Sequence, residues 1–268
     1  MSKIPTKTVL RRCAWPLSLL GGHRRAVLCV HGFTGYPGEM AYPAQRLFEA
    51  GWDVHAPRLS GHGTSGDDFR QSSISQWRRQ VFDAYLELKE RYKWVGLLGH
   101  SMGGLLVLDL ATWQKTDALV VMAPALGVKY PGKFWLPLVS RFVERKSTGW
   151  EPNPRYRFYD ERDDDDDLYL GREYWSWTWY RQLNDLFGLE KKVLGSLGNI
   201  HAPVLGLFGG DDAVTGIAGD ALLKHALKGP YDSHIIDRCR HCMPYDPNPG
   251  TKEMAIEKTM AWFERHEH

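Results

Sequence analysis

Short apolar runs recur along the chain, separated by longer stretches of helical period, an alternation that predicts a parallel sheet wound by crossover helices. AVLCVH (26–31), WDVHAP (52–57), WVGLLGH (94–100), ALVVMAP (118–124), VLGLFG (204–209) and SHIID (233–237) are the expected strands. Helical stretches are expected near 38–50, 74–92, 102–115, 215–228 and 251–266, long enough to serve as right-handed crossovers. The near-continuous apolar character of the strand before Gly99 fits a strand covered on both faces. The expectation is an α/β chain with a mostly parallel, doubly wound sheet.

The rhythm fails between about 127 and 182, where aromatic and charged residues replace the alternation. This stretch is read as an insertion, a cap (127–182) over a core formed by 1–126 and 183–268. It carries Trp135, Trp150, Trp175, Trp177 and Trp179 of the chain's 11 tryptophans, with Tyr156, Tyr159, Tyr174 and Tyr180. Ligands in open α/β sheets bind at the carboxyl edge, in pockets lined by apolar and aromatic groups, so a cap there would line a pocket. The same rings could equally pack the insertion onto the main body.

Composition narrows the classes. With 43% hydrophobic and 25% charged residues in 268, the chain can bury a full core. A formal net charge of +2 leaves no footprint for a phosphate backbone, so nucleic acid is not an expected partner. No apolar run approaches the roughly 20 residues that cross a bilayer. Arg11 and Arg12 before CAWPLSLLGG imitate a signal peptide, but the stretch holds Trp15 and Pro16 and lacks a small-x-small cleavage site. A cytoplasmic location is expected. Four cysteines, Cys13, Cys29, Cys239 and Cys242, are too few for a disulfide scaffold.

The chemistry begins at Gly99-His100-Ser101-Met102-Gly103, between an expected strand and an expected helix. A serine on so tight a turn stands at the sheet's carboxyl edge above a helix N-terminus, and glycines on either side let the neighbouring chain approach. A serine nucleophile needs a base and the base an orienting carboxylate. GGDDAVT after the strand 204–209 offers Asp211 and Asp212, of which Asp212 has the better spacing. RCRHCMPYD after 233–237 offers His241. An oxyanion hole would take the N–H of Met102, following the serine, and that of Phe33 in the His31-Gly32-Phe33-Thr34-Gly35 loop after the first long strand.

Together, AVLCVHGFTGYPGEM, the PRLSGHGTS loop at 57–65, GHSMGG, the GGDD loop and the histidine loop at 241–246 resemble the α/β-hydrolase serine carboxylesterases and bacterial monoacylglycerol lipases. The resemblance implies an α/β-hydrolase fold with Ser101, Asp212 and His241 as the triad and Phe33 and Met102 at the oxyanion hole. It implies hydrolysis of short- to medium-chain acyl esters, including monoglycerides, through an acyl-enzyme, with a small hydrophobic ester as substrate and no cofactor. Two features depart from the family pattern: the longer, aromatic insertion, and the enclosure of His241 by Cys239 and Cys242.

The Cys-x-x-Cys pair follows the last strand, whereas a redox site of that spacing opens a helix after an early strand, and zinc would need further ligands nearby. The pair is read as packing thiols. The run Asp163 to Asp167 lacks the glycine turn and distal glutamate of a calcium loop and is read as a solvated surface loop. An aminopeptidase, a thioesterase or a carbon–carbon bond hydrolase could run on the same triad, and a non-catalytic binding protein could share the fold.

Overall fold

The computed structural model describes residues 10–151 and 169–267. Seven strands form the main sheet: β1 (Leu17–Leu19), β2 (Arg25–Val30), β3 (Asp53–Ala56), β4 (Trp94–His100), β5 (Ala118–Met122), β8 (Val204–Gly209) and β9 (Tyr231–Ile236). A separate hairpin pairs β6 (Arg145–Ser147) with β7 (Trp177–Trp179). The sheet order is β1-β3-β2-β4-β5-β8-β9, with β1 antiparallel to β3 and every other pair parallel. All six expected strands are present, within a few residues at each end. β2 lies between β3 and β4, so the winding reverses at its carboxyl end, where a crevice opens in sheets of this kind.

Side-chain alternation along β2 shows how the two faces are filled. Ala26, Leu28 and Val30 enter one core with Val95, Leu97, Leu119 and Val121. Val27 and Cys29 enter the other with Val54, Leu98, Val120 and Met122. Helices α1 (Ala41–Glu49) and α8 (Pro249–Arg265) close the second core through Ala44, Leu47, Ala255, Ile256 and Phe263. The first core is covered by α3 (Ile74–Arg91), α4 (Met102–Ala111) and α6 (Tyr180–Leu194). In α3, Trp77, Val81, Ala84, Tyr85 and Leu88 form the buried stripe of a 3.6-residue period, and the Ser73 hydroxyl accepts the Gln76 N–H to cap its start. The short helices α2 (Gly66–Gln71) and α5 (Leu136–Val139) and the helix α7 (Ala218–Ala226) complete the set.

Every residue of α4 is buried, so it is apolar all round except Asp109. That carboxylate is held by Arg78 of α3 at 2.6 Å and Lys192 of α6 at 3.0 Å, which ties three helices over one face of the sheet.

Among the described residues, α2, α5 and α6 lie outside the expected set. In α6, Leu186, Phe187, Leu189 and Val193 keep a helical spacing, but the helix begins directly behind the aromatic run of 174–180, which masks its start. In α2, the Ser65 hydroxyl caps Asp68 N–H, but six residues carry too little periodicity to stand out. The first expected helix begins later than read, because residues 37–40 form a tighter 3-10 turn.

The rings of the aromatic stretch range from buried through half-buried (Trp150, Trp175, Trp177 and Tyr180) to exposed. Tyr174 and Trp179 are buried, their rings 5.7 and 5.3 Å from that of Phe69 in α2. Trp135, by contrast, is exposed. Tyr156, Tyr159 and the Asp163–Asp167 run lie outside the described residues.

A close approach fixes where α4 can start. A methyl group on Gly99 would collide with the Gly103 backbone, and one on Gly103 with the Val30 carbonyl. Gly103→Ala is expected to lower stability by about 1–3 kcal/mol through overpacking. Thermal denaturation beside wild type measures this; an unchanged melting temperature would contradict the close approach.

Candidate active site

Ser101 joins β4 to α4 with φ +52° and ψ −114°, a left-handed conformation rare for a side chain bearing a Cβ. The surrounding chain holds it there. Its N–H donates to Met122 O at 2.9 Å, and its carbonyl accepts from Ala125 N at 3.0 Å and Leu105 N at 3.2 Å. Such over-determination is what lets a strained backbone persist. Met102 follows as the first residue of α4, where N–H groups have no intrahelical acceptor and the helix dipole is positive.

His241 arrives on the loop after β9, its Nε2 3.0 Å from Ser101 Oγ and its Nδ1 2.9 Å from Asp212 Oδ2. Asp212, and not its exposed neighbour Asp211, reaches the histidine. The loop after β8 turns back on the Asp212 carboxylate, which accepts Val214 N–H at 2.7 Å, Thr215 N–H at 3.0 Å and the Thr215 hydroxyl at 2.7 Å. This is the local side-chain-to-backbone turn an aspartate favours. The structure thus brings together three groups separated by 111 and 29 residues in sequence, from the ends of three strands.

The loop after β2 faces them. Gly35 N–H donates to Gly32 O at 3.2 Å, closing a turn with Phe33 and Thr34 at its tip, and Thr34 itself has φ +56°. His31 supports this turn from beneath: its Nδ1 contacts Gly32 O at 3.0 Å and its Nε2 accepts Leu59 N–H at 3.2 Å. Burial pulls the His31 imidazole down to about 4, so it is neutral and carries its proton on Nδ1. Trp175 donates its indole N–H to Thr34 O at 3.3 Å.

Three participants escaped the sequence reading. Thr215 was legible in principle, as the third residue after an aspartate in a loop. His100 and Glu39 gave no local signal: one looks like the variable residue of the elbow motif, the other like an acid in a helix start. Both are buried at the site, Glu39 accepting Gly32 N–H at 3.0 Å and His100 Nε2 donating to His241 O at 2.9 Å.

A family model described as Hydrolase_4, serine aminopeptidase, S33, matches residues 21–248. The chain belongs to this S33 hydrolase family. Within it, 85 residues are 44% identical to the thermostable monoacylglycerol lipase of Bacillus sp. (strain H-257), covering 32% of this chain and 34% of that protein. A second stretch of 115 residues is 32% identical to the carboxylesterase of Bacillus subtilis (strain 168), covering 42% and 46%. These matches therefore span between a third and a half of the relatives' length. A solved structure from a pair of metagenome-derived lipolytic enzymes superposes with a TM-score of 0.83 at 22% identity, over 96% of this chain and all of that one. The S33 chain has the α/β-hydrolase fold.

The electrostatics of this S33 site assign the protons. Burial alone would raise the Asp212 carboxyl, but hydrogen bonds from His241 and Thr215 outweigh it and hold the group well below the usual carboxylate range. Asp212 is therefore ionised and receives the Nδ1–H of His241, leaving the Nε2 lone pair toward the Ser101 hydroxyl. Burial lowers the His241 imidazole from its ordinary value despite the opposing pull of Asp212. The neutral, proton-accepting form then persists to lower pH than in a free imidazole. The chemistry this permits is removal of a proton from Ser101 at neutral pH.

The Cys239 and Cys242 thiols beside it are pushed up to about 12 by burial, so they stay protonated and weakly nucleophilic. Cys29, Cys239 and Cys242 are free thiols. Among the described residues no group of three His, Cys, Asp or Glu side chains is placed to hold a metal ion.

Followed by NMR, the His241 ring is expected to titrate with a midpoint below about 6.5, the ordinary imidazole value. A midpoint above 7 would mean that the pull of Asp212 outweighs burial.

Proposed function

We propose that this chain is a serine hydrolase cleaving carboxylic esters through an acyl-enzyme. The observation that carries the reading is the hydrogen-bonded line from Ser101 Oγ through both His241 nitrogens to Asp212 Oδ2. In this reading His241 Nε2 takes the Ser101 proton as Oγ bonds to the ester carbonyl carbon. The N–H groups of Phe33 and Met102 then receive the negative oxygen of the tetrahedral intermediate. Collapse breaks the bond to the leaving alcohol, which takes the proton from His241. A water, deprotonated by the same nitrogen, hydrolyses the acyl-serine and restores the starting state. Asp212 holds the ring's tautomer and balances the charge of the imidazolium.

The substrates proposed are short- to medium-chain acyl esters, monoacylglycerols among them. The similarity to a monoacylglycerol lipase and a carboxylesterase supports this class, as does the aromatic character of residues 127–182, taken as a cap beside the oxyanion loop. An aminopeptidase would need a free carboxylate for the substrate's amine. Among the described residues, the buried acids at the site, Asp212 and Glu39, are already engaged. A cytoplasmic setting agrees with the free thiols of Cys29, Cys239 and Cys242. Among the described residues no helix is long and apolar enough to cross a membrane.

Hydrolysis of p-nitrophenyl butyrate and of a monoacylglycerol, beside an aminoacyl p-nitroanilide, tests the reading. Wild type is expected to cleave both esters and leave the anilide. Ser101→Ala and His241→Ala should each lose about 10³-fold or more in kcat. Ester cleavage that survives in Ser101→Ala would sink the proposal.

A further inference from the structure

We propose that Glu39 is a positioning residue, a buried carboxylate that ties the Gly32–Gly35 loop, through Tyr245 and beside His100, to the loop bearing His241. The inference rests on the ester-hydrolase reading and names a residue outside its triad and oxyanion donors.

Glu39 lies in the 3-10 turn 37–40, only 5% exposed. Its Oε2 accepts the Gly32 N–H at 3.0 Å, one residue before Phe33. The same oxygen stands 3.7 Å from His100 Nδ1. On the other side of that ring, Nε2 donates to the carbonyl of His241 at 2.9 Å, since a carbonyl can only accept. A third strut comes from Tyr245, four residues past His241, whose hydroxyl lies 3.5 Å from Glu39 Oε1. One carboxylate thus meets the loop that carries Phe33 at Gly32 and the loop that carries His241 at Tyr245, with His100, bonded to the His241 carbonyl, packed between them. His100 is itself the residue directly before Ser101.

The glycines of the loop are explained by the same group. Neither Gly32 nor Gly35 has a positive φ, so backbone freedom is not their reason. A Cβ on Gly35 would run into the Glu39 carboxylate, and one on Gly32 would come within 3.3 Å of His100 Nδ1 and 3.5 Å of Glu39 Oε2. The loop is pared down to let the carboxylate in. A buried acid is an expensive way to fill space, because an apolar side chain of similar volume there would avoid the desolvation cost. No lysine or arginine is paired with it in any ion pair among the described residues; its hydrogen-bond donors are the amide of Gly32 and the hydroxyl of Tyr245, while His100 Nδ1 stands beyond hydrogen-bonding distance at 3.7 Å. What the acid supplies that leucine would not is a fixed distance between two loops whose atoms must converge on one reacting carbonyl.

The test uses the full chain with p-nitrophenyl butyrate and, as a tetrahedral-adduct probe, phenylboronic acid. Wild type, Ser101→Ala, Glu39→Leu, Glu39→Gln and Gly35→Ala are compared, with melting temperatures recorded for each. Glu39→Leu keeps the volume and removes the acceptor. Its kcat is expected to fall about 10- to 100-fold with KM nearly unchanged, as for a small misplacement of catalytic groups. Boronate inhibition should weaken by a similar factor. Glu39→Gln, which can still accept from Gly32, should recover most of the loss. Gly35→Ala, which pushes the carboxylate aside without deleting it, should lower kcat in the same direction and decides the matter if Glu39→Leu does not fold. Full kcat in folded Glu39→Leu or in Gly35→Ala, or a change confined to KM, overturns the inference, provided Ser101→Ala is inactive. Wild-type rates in Ser101→Ala would instead overturn the serine-hydrolase reading itself.

Discussion

The site depends on how closely the start of α4 approaches the ends of β2 and β4. Gly103 lies against the Val30 carbonyl and Gly99 against Gly103, a spacing that no side chain permits. That contact drives Ser101 into its left-handed conformation and aims its hydroxyl out of the sheet's edge. Everything else is arranged relative to that point: β5 anchors the serine's N–H, the loop after β8 turns an aspartate inward, and the loop after β9 lays a histidine between them. The strain at one residue is small beside the two cores that enforce it, which is why a rigid sheet rather than a flexible loop carries the Ser101 hydroxyl.

Several polar side chains are buried at this edge, and most of their polar atoms bond a specific neighbour, His100 Nδ1 being left without one. His31, Glu39, His100 and Asp212 would be costly in an apolar environment, yet each bonds backbone of a loop that the sheet alone does not position. The apolar cores hold the strands, and this buried polar layer holds the loops. The division explains how loops of irregular backbone can present side chains to within hydrogen-bonding distance of one another.

Much of this was legible in the sequence, for physical reasons. Strands buried on both faces must be apolar throughout, so β2, β4, β5 and β8 announced themselves. The elbow was legible because its glycines are required by contact, and Asp212 and His241 because each stands just past a strand end in the order the chemistry needs. The limits were equally physical. Helix α6 was hidden because the aromatic run packed against α2 has no period of its own, and α2 is too short to show one. Glu39 was not legible because its contact to an amide seven residues away in an irregular loop leaves no periodic mark, and His100 because its partner is 141 residues away, brought near only by the winding of the sheet.

The segment 169–179 is bound to the loops below it through side chains grafted onto backbone. The Tyr174 hydroxyl accepts the Thr64 N–H at 2.6 Å and donates to Gly61 O at 2.9 Å, while Glu173 takes the Gly66 N–H at 2.7 Å and Trp175 reaches Thr34 O. A foreign segment spliced in at this place, lacking a phenol at that point, would strip two buried backbone groups of their partners at once. This part of the chain is therefore poorly suited to exchange between homologues as a block. Divergence here proceeds more readily by single changes within the segment than by recombination, unless the 61–66 loop travels with it.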